Sequence, residues 1–413
     1  MAELKYLKKY SAETDICTLC GTCRTVCPVF LEEGIESSST RGRISLINGL
    51  LTKDLTFTKN LSGKMYSCLN CRKCIEVCPA NVNFTDLIIA AKADINLNNK
   101  KYFQVVFLKY LFNSNPAVSN FSHKFLRSIR NFIYKKKTFT LNILGKLIFK
   151  LLSLPRTFIM PVLPEKFFFA MKSRHELIGE QKKRVALFLG CGGKYNYPHS
   201  SDHLINLLRN NGIEVLIPEN QVCCGSPLLD NGNVKLAKMN ALKNLKVFNN
   251  IQDISAILVQ CSSCSFILKH QYKNFLSVGK FKTPVIDIME FIKNEDIDLT
   301  PRYSSKVSCH IMQRNHNDIN KDNFIDDTVN SVYSENHIGD ISDDKCCGAS
   351  ELYKTRNYDT RKILTHNFLE KYIKKNIGYI ACNSFACIHT INEEASQQNK
   401  DIKAVSITDI FEV

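Results

Sequence analysis

No tryptophan occurs among the 413 residues, and no run of 18 apolar residues. The second absence excludes an ordinary transmembrane helix. The first goes with an abundance of Lys, Asn and Ile, a bias that carries no function. The N-terminal MAELKYLKKY lacks the apolar stretch and small-residue cleavage site of a secretory signal, so a cytoplasmic protein is expected. Acid is nearly missing from residues 100–174, where fifteen Lys or Arg stand against the single Glu165. That segment carries +14 of the total +16. The rest of the chain is nearly neutral, which argues against a nucleic-acid partner. A dinucleotide fingerprint is missing too, since Gly190-Cys-Gly-Gly193 is not G-x-G-x-x-G.

What the chain does have is 18 cysteines. In a reducing compartment disulfides are rare, so close cysteine spacings read as metal sites. Cys17, Cys20, Cys23 and Cys27-Pro28 form one C-x2-C-x2-C-x3-C-P run, and Cys68, Cys71, Cys74 and Cys78-Pro79 form a second. Both match the bacterial ferredoxin signature, in which the fourth cysteine ligates the other cluster. Two cubane [4Fe–4S] clusters are therefore expected. One is on Cys17, Cys20, Cys23 and Cys78, the other on Cys68, Cys71, Cys74 and Cys27. Zinc prefers two C-x2-C pairs to a triplet with a distant fourth cysteine, and is the weaker reading. The intervening residues 41–51 read as a helix, which favours a helical ferredoxin module. Arg41 and Arg43 there either flank a cluster or lie on a solvated face.

The second half looks duplicated. Each copy has a single cysteine, a Cys-Cys-Gly, and then two further cysteines. Cys191 to Cys309 is 118 positions and Cys223 to Cys346 is 123. Apolar runs at 184–190, 213–217 and 256–260 predict buried parallel strands, alternating with helices such as 201–211. Cys191 and Cys261 follow strand ends, where α/β folds gather their sites.

In the first copy 31 residues separate Cys191 from Cys223, 36 separate Cys224 from Cys261, and two separate Cys261 from Cys264. This pattern resembles the "CCG" domain found in heterodisulfide reductase and in the iron–sulfur subunits of flavin-linked dehydrogenases. The resemblance implies a non-cubane [4Fe–4S] cluster on Cys191, Cys223, Cys224, Cys261 and Cys264. Gly225 fits a tight backbone approach there. In the second copy Cys309, Cys346 and Cys347 fit the pattern, but Cys382 and Cys387 lie four residues apart. Ser384 takes the place of the partner of Cys387. This site holds a further cluster with fewer ligands, a different cluster, or none. His310 reads as a packing or supporting residue.

The whole layout resembles the glycolate oxidase iron–sulfur subunit family. It is also similar to the cysteine-rich subunit of anaerobic glycerol-3-phosphate dehydrogenase and to lactate-utilisation iron–sulfur proteins. The resemblance implies an electron-transfer subunit that takes electrons from an FAD-containing dehydrogenase subunit and passes them towards membrane quinone. A disulfide reductase of the heterodisulfide type and a basic binding protein with structural clusters are the competing readings. The expected fold is a multidomain α+β protein. An α-helical two-cluster ferredoxin domain (1–98) leads to a basic amphipathic linker (99–180), then to two α/β parallel-sheet CCG domains (181–296 and 297–413). In the linker, Leu144, Leu147, Ile148 and Leu151 share one helical face and Lys146 and Lys150 another. That pattern suits either peripheral binding to an anionic membrane surface, on the inner face of the cytoplasmic membrane, or a helical linker whose apolar face packs on the ferredoxin module with its charged face in water.

Overall fold

The computed structural model describes residues 4–98, 108–134, 142–143, 145–147, 163–170, 183–295, 297–310, 324–338, 346–350, 353 and 356–413. The expected helix around 140–154 falls largely outside them.

The N-terminal part is helical. Helices α1 (Ser11–Ile16), α2 (Cys23–Val26), α3 (Pro28–Glu33), α4 (Thr40–Leu51), α5 (Lys59–Tyr66), α6 (Lys73–Glu76) and α7 (Phe84–Asn98) follow in order. The helix predicted over 41–51 is α4. Ser39 caps it, its Oγ accepting the Gly42 N–H at 2.9 Å. Helix α7 is apolar nearly all round, the pattern of a helix with no solvent face. Every residue from Phe84 to Ile95 is buried. Its buried charges are answered. Asp94 accepts the N–H groups of Lys5, Tyr6 and Leu7 at 3.0, 3.0 and 2.8 Å, tying down the start of the chain. Asp86 accepts from Gln271 at 3.0 Å, and Lys92 donates to the Cys68 carbonyl at 3.3 Å.

The C-terminal half is α/β, as its alternating pattern implies. Strands β1 (Lys183–Phe188), β2 (Ile213–Leu216), β3 (Ala256–Val259) and β4 (Val285–Asp287) form a parallel sheet in the order β2-β1-β3-β4. Strands β5 (Val307–His310), β6 (Tyr379–Cys382) and β7 (Lys403–Ser406) form a second parallel sheet in that order. The two halves are pressed together. Tyr197 stacks on Phe385 with ring centres 5.2 Å apart. A Cβ on Gly192 would come within 2.2 Å of the Phe385 ring, so only glycine admits that approach.

Helix α8 (Pro116–Ile133), in the basic segment, begins with Asn115 capping the Ala117 N–H at 3.0 Å. It buries Ser119, His123, Arg130 and Ile133. His123 lies flat on Tyr195, ring centres 3.7 Å apart. Burial pushes the His123 imidazole down to about 4, against the Ser119 carbonyl that favours its charged form; nearby Lys194 lowers it further. An unfolded imidazole titrates near 6.5. The folded state therefore binds fewer protons, and the stability from this contact is complete above about 6.5 and lost as pH falls towards 4. Protection of the α8 amides, their exchange taken relative to unstructured chain at the same pH, is expected to fall as pH drops through that window in the parent protein. With His123→Phe it should stay level.

Candidate metal centres

The two ferredoxin-type runs fold into equivalent loops. Leu19 and Gly21 have φ of 56° and 89°, and Asn70 and Arg72, at the matching positions of the second run, have 53° and 71°. Three of these four are not glycine. Left-handed backbone at such residues costs on the order of 1–3 kcal/mol each and persists where the surrounding structure holds it. This signature is not legible in the sequence, because only Gly21 announces it.

Cys17, Cys20, Cys23 and Cys78 line one cavity, with Gly21 and Arg41 at its wall. Cys27, Cys68, Cys71 and Cys74 line a second. Cys74 also borders the first, so the two cavities adjoin. The fourth cysteine of each run thus lies with the other run's triplet. Burial, then the Cys346, Cys27 and Cys68 thiols, push the Cys71 thiol up. Cys74 is raised by burial and by Cys71, Cys68 and Cys27. Burial raises Cys27 too, while the buried Arg43 guanidinium lowers it. Thiols crowded together this way would bind a cationic core as thiolates, giving their protons up to solvent, so the residues present fit an iron–sulfur group in each cavity. The Asn70 N–H points at Cys68 Sγ, 3.3 Å away.

The two arginines of α4 have separate tasks. Arg43 is 1% exposed and donates to the Lys64 carbonyl at 2.8 Å and to Ser67 at 2.9 Å, tying α4 to the loop that leads to Cys68. Arg41 pairs with Glu36 at 2.8 Å and donates to the Leu19 carbonyl at 3.2 Å. Its hydrogen bond, chiefly, holds the Glu36 carboxyl down at about 2.

The first Cys-Cys-Gly repeat brings its five cysteines together. Cys223 Sγ is 3.9 Å from Cys191 Sγ. Hydrogen bonding to Cys191 and Cys224 and then burial raise Cys223. Hydrogen bonding to Cys224 and Cys261 and then burial raise Cys264. Cys261 is lowered to about 7, first by its hydrogen bond with Cys264. The five thiols form one connected set, which fits a single multi-iron group. Gly225 turns the backbone with φ of 101°, so that its own N–H and that of Ser226 approach Cys223 and Cys224 Sγ at 3.5 Å each. Beside Cys191 and Cys223 opens a pocket walled by Phe112, Ser119, Lys194 and Tyr195. Burial brings the Lys194 ammonium down to about 8.

The second motif meets this repeat directly. Asn70 donates to Asp230 at 3.0 Å, at the end of α9 (Ser226–Asp230), the helix that follows the Cys-Cys-Gly. Arg72 lies over the Phe266 ring, 4.3 Å from its centre, at the end of α10 (Ser262–Phe266), which carries Cys264.

The second repeat departs from the sequence expectation. Cys309 is not the counterpart of Cys191. Cys191 comes after β1 has ended, whereas Cys309 lies inside β5. Residues alternate faces along a strand. Cys309 packs with Val307 and Ala381 in one core, and Cys382 with Cys347, Phe385 and Cys387 in another. Cys309 Sγ faces His337, 3.9 Å away, and not the Cys346 loop. His310, next along the strand, takes the site face. Its ring nitrogen and the sulfurs of Cys347 and Cys387 lie within 4.8 Å of one another, all buried. Cys346 reaches the other way and packs beside Cys27 and Cys71.

Residues 13–82 match the model of the 4Fe-4S dicluster domain. Residues 185–269 match that of the cysteine-rich domain. The chain is similar to the iron–sulfur subunit of glycolate oxidase. The probable glycolate oxidase iron-sulfur subunit of Bacillus subtilis (strain 168) is 26% identical over 363 residues, 82% of this chain and 79% of that protein. A subunit of the fumarate reductase (CoM/CoB) of Methanothermobacter marburgensis is 23% identical over 245 residues, 58% of this chain and 48% of that protein. A subunit of the anaerobic glycerol-3-phosphate dehydrogenase of Escherichia coli (strain K12) is 32% identical over 101 residues, 24% of this chain and 26% of that protein. The chain thus spans about half the length of the archaeal relative and about a quarter of the last.

Proposed function

We propose that this protein is the electron-transfer subunit of a flavin-dependent 2-hydroxy-acid dehydrogenase, with glycolate the first substrate to test. Its partner is then an FAD-containing dehydrogenase subunit, and its electrons go towards membrane quinone. The observation that supports this most is the run of adjoining cysteine sites: the first cavity shares Cys74 with the second, Asn70 of the second touches the helix that follows the Cys-Cys-Gly, and Arg72 touches the helix that carries Cys264. Iron–sulfur clusters bound at these sites supply one-electron carriers. The chain's own residues set their access. Cys20 is exposed, with Ile16 and Leu19 about half-exposed around it, so the first cavity faces a partner surface. Cys223, Cys224, Cys261 and Cys264 are buried, so water is kept from the far site. The ligands we assign are Cys17, Cys20, Cys23 and Cys78; Cys68, Cys71, Cys74 and Cys27; and Cys191, Cys223, Cys224, Cys261 and Cys264.

The complex, copurified with its partners, should reduce a dye with glycolate. A complex that turned over lactate or glycerol 3-phosphate instead would move the protein to a sister enzyme. Turnover with none of these, but reduction of a disulfide substrate, would favour the heterodisulfide reading; the pocket beside Cys191 is what speaks for testing it.

Helix α8 supports a peripheral place on the membrane. Among the described residues no helix is long and apolar enough to cross one. Yet Phe121, Phe125 and Phe132 on α8 are 70%, 58% and 69% exposed, and Ile143 and Leu147 beyond it 88% and 56%. Exposed Lys124 and Lys146 stand among them. Large apolar side chains bracketed by lysines fit an anionic lipid interface. The protein is expected to sediment with anionic vesicles at low salt and to leave them at high salt. Phe125→Asp with Phe132→Asp should weaken binding by at least about a hundredfold, since burying each ring is worth about 1.5–3 kcal/mol. Equal binding to neutral vesicles would remove the idea.

A further inference from the structure

The second Cys-Cys-Gly repeat keeps the loop but not the ligands of the first. Helix α11 (Phe385–Gln397) carries Cys387 as its third residue, as α10 carries Cys264. The residue before each helix is extended: Cys261 in the first repeat, Ser384 in the second. Cys382 ends β6 as Val259 ends β3. The place three residues beyond the strand end, held by Cys191 in the first repeat, falls in sequence on Gln313, outside the described residues. Two of the five positions that make the first site are therefore not cysteine. The five-thiol set needed for a non-cubane cluster does not fit here.

What stands in its place is a compact buried trio of one imidazole and two thiols. His310 is 5%, Cys347 0% and Cys387 1% exposed. Three elements far apart in sequence deliver them. The end of β5 supplies His310, the Cys-Cys-Gly loop Cys347, and the first turn of α11 Cys387. Two of them are held from outside. The His310 ring sits edge-on to Phe368, centres 4.5 Å apart. The Thr365 hydroxyl lies 2.8 Å from the Cys347 carbonyl, as donor. Sulfur and imidazole ligands at such spacing select a small tetrahedral ion, and zinc above others.

We propose that the second repeat binds a single zinc ion through His310, Cys347 and Cys387, and not an iron–sulfur cluster. The fourth position falls to Cys382, which pairs with His310 across β5 and β6 and packs with Cys347 and Cys387. Such an ion has no redox step. Its work is to clamp β5, the Cys-Cys-Gly loop and α11 into one body, which holds Cys346 against Cys71 of the second ferredoxin-type loop. This inference does not depend on the electron-transfer reading, because it concerns ligands that the other three sites do not use.

The test is metal analysis of the full chain purified without oxygen, in its complex where one forms. About one zinc per chain is expected beside the iron of the other sites. His310→Ala and Cys387→Ser should each lower that zinc at least tenfold while iron content and the spectrum of the reduced clusters stay at parent levels. Growth with cobalt gives a second readout that needs no variant. The parent protein should then show the intense visible bands of tetrahedral cobalt with thiolate ligands. Zinc-free parent protein with extra iron that Cys387→Ser removes would overturn the proposal. So would parent protein that takes up neither zinc nor cobalt.

Discussion

Cys27→Ser is expected to remove about four iron atoms per chain from the site of the second motif, and Cys78→Ser about four from the site of the first. The cavities carry this prediction: Cys27 lines the one with Cys68, Cys71 and Cys74, and Cys78 the one with Cys17, Cys20 and Cys23. Double variants give the sign. Cys27→Ser with Cys71→Ala should lose no more iron than either alone, because both empty one site. Cys27→Ser with Cys20→Ala should lose about twice as much. The opposite pattern would mean that each run holds its own cluster with its own four cysteines. Since burial and the neighbouring thiols raise Cys71 and Cys74, apo protein should also keep these thiols protonated at neutral pH, and iron loading should release protons.

Arg361→Met is expected to destabilise the protein by about 3–5 kcal/mol, the usual result of leaving buried charge without its partner. Arg361 lies in α12 (Tyr358–Lys374) and is 0% exposed. Its guanidinium is 3.6 Å from Glu393 and 3.9 Å from Glu394, both in α11 and at most 2% exposed at the side chain. One cation thus faces two carboxylates in the seam between these helices. Adding Glu393→Gln and Glu394→Gln to Arg361→Met should recover most of the loss, because the uncompensated charge then disappears. The shift of the urea midpoint measures both. A small effect from Arg361→Met alone would show that water reaches the seam. Position matters as well as energy here. A carbonyl of this helix, that of Arg361, accepts from Thr365, whose hydroxyl also lies beside the Cys347 carbonyl. The ion cluster therefore backs the loop that presents Cys347.

Much of the fold was open to reading from the residues. The apolar runs at 184–190, 213–217 and 256–260 became β1, β2 and β3, each ending one or two residues early. At the first, Gly190 turns with φ of 63° and breaks the extended run. Helix α4 is capped where Ser39 offers its oxygen. Arg43 was harder. Its neighbours in sequence do not tell a solvated residue from a buried one, and only the packing of α4 against α5 sends it to the Lys64 carbonyl. The second repeat was hardest. Counting from Cys309 gives an offset of 118, whereas the Cys-Cys-Gly pairs and the last cysteines are both offset by 123. That disagreement was the available signal that Cys309 belongs to the strand.

By itself the sequence determined the ferredoxin-type loops and the parallel-strand architecture, because both depend on local spacing: three thiols within seven residues can wrap one core, and unbroken apolar runs need a sheet covered on both faces. Tertiary structure alone decided which distant groups meet. It set Cys27 among the second triplet, Asn70 against Asp230, and Cys71 beside Cys346. It also turned Cys309 away and His310 inward. Successive strand residues point to opposite faces, so one residue of register separates a core thiol from a ligand.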